Sequence, residues 1–139
     1  MLFDTHLHLI YPNKIGYPWL SEVPKLNKPY KYEEYEIIAN RLGIDACFHM
    51  EVDVSESDIK NETVMLESLS NQPSSKIKGI ISACRPEQQG FDDFLYWASQ
   101  NTLIKGFRRV LHVVSDDLSK NPLFRKNINL LSDYNLTFD

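Results

Sequence analysis

The 139-residue chain is 42% hydrophobic and 24% charged, the balance of a soluble globular protein and not of a disordered or membrane-spanning one. Its net charge of −4 argues against general nucleic-acid binding, which needs a basic surface to displace counterions from phosphates. Its two cysteines, Cys47 and Cys84, form no disulfide framework. Both lie in apolar runs and read as buried thiols of a reducing compartment. The opening residues lack the basic segment and apolar core of a secretory signal, and no run is long enough to cross a bilayer. A cytoplasmic protein without a membrane partner is therefore expected.

In chain order, "LFDTH" opens as a strand. The stretch from Tyr11 to Tyr30 contains Pro12, Pro18, Pro24 and Pro29, which forbid regular structure over most of its length. Such long connections often wall a site. "KYEEYEIIANRLG" reads as a helix with Tyr35, Ile38 and Leu42 on one face and Gly43 as its cap. "IDACFHMEV" is a second strand, followed by a helix that sets Met65, Leu66 and Leu69 together. "KIKGIISAC" is a third strand. The next helix starts at Asp92 or Asp93 and buries Phe94, Leu95 and Ala98. "TLIKGFRRVLH" is a fourth strand, Pro122 opens a helix through "PLFRKNINLLSDY", and "NLTFD" begins a fifth strand.

Strands alternating with helices predict an α/β fold with a mainly parallel sheet. A closed eight-stranded α/β barrel takes about 250 residues, so residues 1–139 match about half of one, a single partial domain. A five-stranded flavodoxin-type sheet fits the length, but no glycine-rich phosphate loop follows the first strand.

The chemistry concentrates at strand ends. If the first strand persists, Asp4, His6 and His8 face one side. Two imidazoles so spaced can reach one ion or donate to a carbonyl. The alternative is a pair of exposed histidines ending a strand, and position at the first strand of a βα series favours function. His49 and Glu51 share a face of the second strand, opposite Phe48 and Met50. Glu51 is either a buried functional carboxylate or a solvated residue beyond the strand's end. Arg108 shares its face with Gly106 and would suit a carboxylate or polyhydroxylated substrate, or else a structural ion pair. Arg109, of opposite parity, is assigned to packing or surface. Trp19, with Tyr11 and Tyr17, either walls a pocket or forms a small satellite core. His112 reads as an ordinary loop residue.

The segments "DTHLHL", "YPWL", "GIDACFHMEVD", "NETVMLESL", "IKGFRRVLH" and "LLSDYNLTFD", in this order, resemble the amidohydrolase-related family of TIM-barrel hydrolases. The branch containing sugar-lactone hydrolases and 2-pyrone-4,6-dicarboxylate lactonase is the nearest in pattern. "DTHLH" alone also resembles TatD-like nucleases and PHP phosphoesterases. The resemblance implies the N-terminal half of a barrel that hydrolyses a lactone or similar cyclic ester. It implies His6 and His8 as catalytic residues and, with Glu51, as ligands of a divalent metal such as zinc. His49, Arg108 and Trp19 are then substrate-binding residues, and the general-base aspartate belongs to later strands. On that reading the chain alone is weakly active or inactive. Its exposed edges predict a homo-oligomer or a complex with a complementing half. A TatD- or PHP-like phosphoesterase and a non-catalytic, ligand-binding barrel remnant are the competing readings.

Overall fold

The computed structural model describes residues 1–139. Its five strands are β1 (Leu2–Leu7), β2 (Ile44–Met50), β3 (Ile77–Ala83), β4 (Ile104–Arg108) and β5 (Thr137–Phe138). Its helices are α1 (Tyr32–Leu42), α2 (Ile59–Ser70), α3 (Phe91–Ser99) and α4 (Pro122–Asn129). The strands form one sheet in the order β1-β2-β3-β4-β5, with β1 parallel to β2 and β4 parallel to β5. Each strand thus lies beside its neighbour in sequence, as in a barrel wall. A flavodoxin-type sheet would place its second strand outside the first, so that alternative is excluded. No helix is long and apolar enough to cross a membrane. The sequence reads as one partial domain; the contacts group it into two compact units, Met1–Ile80 and Ile81–Asp139.

In the first unit, α1 is closed as expected by Gly43 in the left-handed region (φ 71°), whose N–H returns to the Ala39 and Asn40 carbonyls. Its buried face differs from the expected one. Tyr32 and Ala39 are buried, while Ile38 and Leu42 are 55% and 64% exposed. The tyrosines decide this orientation, because the buried Tyr32 hydroxyl accepts the Lys76 N–H at 2.8 Å and Tyr35 reaches β1. Helix α2 buries Leu66 and Leu69, with Met65 half-buried. It also buries Glu62 and Thr63 on the same face.

The proline-rich connection forms one short 3-10 turn, Pro18–Glu22, and an isolated antiparallel bridge between Ile10 and Tyr30. Tyr11, Ile15, Tyr17 and Leu20 are buried, so the connection supplies a satellite core. The buried hydroxyls are not idle: Tyr17 Oη accepts the Tyr11 N–H and Tyr11 Oη accepts the Tyr32 N–H. These bonds replace the ladder that the prolines prevent. Gly16 ties the loop to the chain after β2, donating its N–H to Asp58 at 2.8 Å and accepting from Ser55 N–H at 2.8 Å.

In the second unit, Phe91, Leu95, Ala98, Ile104, Phe107 and Leu131 pack around Cys84. Helix α3 starts one residue earlier than the acidic pair suggests. Gly90 (φ 77°) occupies the cap, and Asp92 and Asp93 fall in the first turn, where carboxylates favour the helix dipole. Helix α4 begins at Pro122 as expected, with Asn121 Oδ1 accepting from Leu123 and Phe124 N–H. It gives way at Leu130 to a 3-10 turn, so "LLSDY" is not α-helical.

Candidate active site on the first strand

The first strand does not run straight through its histidines. Asp4 is level with Cys47, but Leu7 is level with His49, so three steps along β1 match two along β2. One extra residue therefore sits between Asp4 and Leu7, and simple alternation fails there. The cause lies in the sequence: Asp4 Oδ1 accepts the His6 backbone N–H at 3.1 Å, the turn-forming bond that aspartate makes to a residue two places on. Bulges of this kind re-aim side chains.

The re-aimed side chains meet. His6 Nε2 and His8 Nε2 are 3.1 Å apart, with the rings nearly perpendicular at 85°. His8 Nδ1 is 2.9 Å from the Met50 carbonyl oxygen. A carbonyl only accepts, so Nδ1 carries the proton and Nε2 of the neutral ring presents its lone pair. His6 Nε2 is then the donor in the contact between the rings. Both rings are solvent-exposed, which leaves them accessible to a ligand.

Asp4 is held from its other side by helix α1, whose Tyr35 hydroxyl donates to Asp4 Oδ2 at 3.1 Å. Tyr35 also bonds to the Cys47 thiol. Burial, followed by the neighbouring thiol and carboxylate, pushes the Tyr35 pKa well above its usual 10.0 and keeps it a hydrogen donor. Burial likewise raises the Cys47 thiol to about 11. This cysteine is a core group and not a nucleophile.

The remaining candidates separate. His49 is 0% exposed, and its Nε2 accepts the Leu9 N–H at 3.2 Å. It shares parity with Cys47, whose thiol meets α1, so it belongs to the helix-covered side, where it anchors the backbone of Leu9. The strand ends at Met50, before Glu51, yet Glu51 is only 1% exposed. Its carboxylate accepts the N–H of Asp53, whose φ of 46° is unusual for a non-glycine residue. No group of three or more His, Cys, Asp or Glu side chains is placed to hold a metal, so Glu51 is not brought together with His6 and His8 as a ligand set.

The spacing of the pair suits a cation. Two nitrogens each roughly 2.0–2.1 Å from a tetrahedral cation stand about 3.3 Å apart, close to the observed 3.1 Å. The Nδ1–H bond from His8 to a backbone carbonyl is the usual support of a metal-binding imidazole. His6 and His8 therefore fit two positions of such a site, and the other ligands are not among these side chains.

Trp19 is half-buried and pinned by its Nε1–H to the Val52 carbonyl at 2.8 Å, which fixes the loop to the chain after β2. Arg108 ends β4 in the second unit and is half-buried. Arg109 Nε and Nη2 both donate to Glu87 Oε1, at 2.9 and 2.7 Å. His112 is exposed. Glu62, 1% exposed, went unassigned from sequence. Its signal was its spacing, since it stands three, four and seven residues before Met65, Leu66 and Leu69 on the apolar face.

No family model matches the sequence, and no curated protein matches it. Solved structures do. An amidohydrolase from Burkholderia multivorans with bound zinc has a TM-score of 0.81 at 16% identity, over 100% of this chain and 48% of its own. Amidohydrolase 2 from Bifidobacterium longum subsp. infantis gives 0.70 at 20% identity, over 99% and 50%. A probable 2-pyrone-4,6-dicarboxylic acid hydrolase from Acinetobacter baumannii, with citric acid bound, gives 0.64 at 13% identity, over 99% and 48%. The chain spans about half the length of these amidohydrolases, and its fold is that of half a (β/α)8 barrel.

Proposed function

We propose that residues 1–139 supply the first-strand histidine pair of an amidohydrolase-type hydrolase that opens a lactone or similar cyclic ester. The observation supporting this most strongly is the His6–His8 contact at 3.1 Å, produced by a bulge that Asp4 holds in place. The fold shared with amidohydrolases favours this chemistry over that of a binding remnant.

Ester hydrolysis develops negative charge on the carbonyl oxygen as water attacks. The His6 Nε2–H is available to donate to that oxygen when it turns from His8, and His8 is held in place by Met50. A divalent ion such as zinc, when bound at the pair, supplies the same polarisation as a Lewis acid. Zinc bound to the Burkholderia protein supports a metal-using version. Trp19 is a stiff aromatic wall near the end of β2, suited to the apolar face of a ring substrate. The attacking water needs a base, and the resemblance to amidohydrolases puts that aspartate on later strands than these. Turnover is therefore proposed to require residues beyond these 139, contributed by a longer chain, a second copy or a complementing half. The acidic net charge disfavours a nuclease.

Titrating the zinc-loaded protein with a sugar lactone, and with its ring-opened hydroxy acid, tests this by NMR. Saturable shifts at His6, His8 and Trp19, with negligible hydrolysis, are expected. Rapid hydrolysis by the 139-residue chain would overturn the requirement for outside residues, and unmoved signals with both compounds would overturn the lactone assignment.

A further inference from the structure

Helix α1 reaches the histidine motif through a line of hydrogen bonds. From the core outward it runs from the Cys47 thiol to the Tyr35 hydroxyl, from Tyr35 to Asp4 Oδ2, and from Asp4 Oδ1 to the His6 backbone N–H. Both oxygens of Asp4 are thus engaged, one by the helix and one by the strand's own backbone. A carboxylate bonded at only one oxygen turns about its side-chain torsions; bonded at both, it is fixed. What it fixes is the bulge, because the His6 N–H that Asp4 captures lies within the interval where the register with β2 slips.

The orientation of α1 points the same way. The helix leaves Ile37, Ile38 and Leu42 exposed, against the hydrophobic effect, while directing Tyr32 and Tyr35 to the sheet side. Exposing those aliphatic side chains forfeits burial energy. The tyrosine bonds hold the helix at the rotation that brings the hydroxyl to Asp4.

We infer that Tyr35 is a positioning residue for the His6/His8 pair, acting through Asp4 on the backbone of His6. The inference rests on the proposed role of that pair. Tyr35 lies about thirty residues from Asp4 in sequence and acts on the geometry of the motif through that carboxylate. Without its hydroxyl, Asp4 is free to rotate, the His6 N–H loses its fixed acceptor, and the strand can relax toward plain pairing. A one-residue change of register turns a side chain to the other face. The rings would then no longer share a 3.1 Å contact.

The test compares wild type with Tyr35→Phe, which keeps the ring and removes one oxygen. Two quantities are read: zinc affinity by chelator competition, and the imidazole nitrogen and proton resonances of His6 and His8 without metal. Outer-shell partners of metal ligands typically contribute about 10–100-fold in affinity. Tyr35→Phe is expected to bind zinc at least about tenfold more weakly and to shift both ring signals, with its circular dichroism unchanged. Zinc affinity within about twofold of wild type, with unmoved ring signals, would overturn the inference. If Tyr35→Phe fails to fold, Asp4→Ala breaks the same line at its next member, and the same two outcomes decide. If wild type itself binds no zinc, the metal-using reading of the site fails, and the ring resonances alone decide whether Tyr35 positions the pair.

Discussion

His8 Nδ1 lies 2.9 Å from the carbonyl oxygen of Met50, the last residue of the neighbouring strand. This bond converts an exposed imidazole into an oriented one and leaves Nε2 facing His6. Long-range nitrogen–proton NMR of the metal-free protein above pH 7 should find His8 in the Nδ1–H form and His6 in the Nε2–H form. The opposite tautomer at His8 would show that Met50 does not hold the ring.

Base should weaken the fold before ordinary tyrosine ionisation begins. Burial raises Cys47 to about 11, whereas an unfolded cysteine ionises near 8.5. A raised folded pKa stabilises fully below the unfolded value, and the contribution is lost as pH climbs from about 8.5 through 11. Tyr17, pushed by burial to about 12, adds a second loss above about 10. Urea midpoints should therefore fall from pH 8 to pH 10.5, and less steeply in Cys47→Ala. Equal slopes for the two proteins would contradict the assignment to Cys47.

Acid should act at the loop anchor. Hydrogen bonds from Asn61, the Gly16 N–H and Ser55 hold the Asp58 carboxyl below its usual range. A lowered folded pKa stabilises above the unfolded value of about 3.9, and this contribution disappears as pH falls through the folded value. Protection of the Gly16 amide from exchange, measured against its intrinsic rate at each pH, should fall over that window in wild type. In Asp58→Asn it should already be lower at pH 6, and undiminished protection there would contradict the anchor.

The fourth strand offers a steric test. A Cβ on Gly106 would stand 2.7 Å from the Thr137 carbonyl oxygen and also meet the Thr137 hydroxyl. Because backbone cannot swing aside, Gly106→Ala should destabilise by about 1–3 kcal/mol, and trimming Thr137 to alanine should not rescue it. A melting temperature within one degree or so of wild type would refute the close approach of β5.

Much of the architecture was legible in the sequence because it depends on local signals. Gly43 and Pro122 mark helix ends by backbone geometry that few other residues provide, and the alternation of strands with helices carried the fold class. The rotation of α1 was not legible. Periodicity placed Ile38 and Leu42 on the core face, but tyrosine hydroxyls satisfying Lys76 and Asp4 outweighed it, and those partners are distant in sequence. The pairing of His6 with His8 followed from their spacing, although the reason differed, since a bulge rather than alternation brings them together. The burial of Glu51 just beyond the strand's end was not legible, because its carboxylate closes a tight turn onto Asp53. The partner of Arg109 was not legible, because Glu87 stands 22 residues away on another segment.

Glu87 gives a further test. Its Oε1 takes both bonds from Arg109, and the two side chains are only 17% and 10% exposed. Removing the guanidinium leaves a mostly buried carboxylate without its partner, so Arg109→Ala should cost about 2–4 kcal/mol in urea unfolding. Arg109→Lys should recover little, since an ammonium cannot donate twice from a planar fork. Full recovery by lysine would show that charge alone matters.

The most direct test is the zinc stoichiometry of chelator-treated, reloaded protein, set beside a His6→Ala/His8→Ala double variant of equal circular dichroism. One zinc per chain or per assembled site in wild type, and none in the variant, is the predicted result. Equal zinc in both, or none in either, would contradict a metal-binding role for the pair.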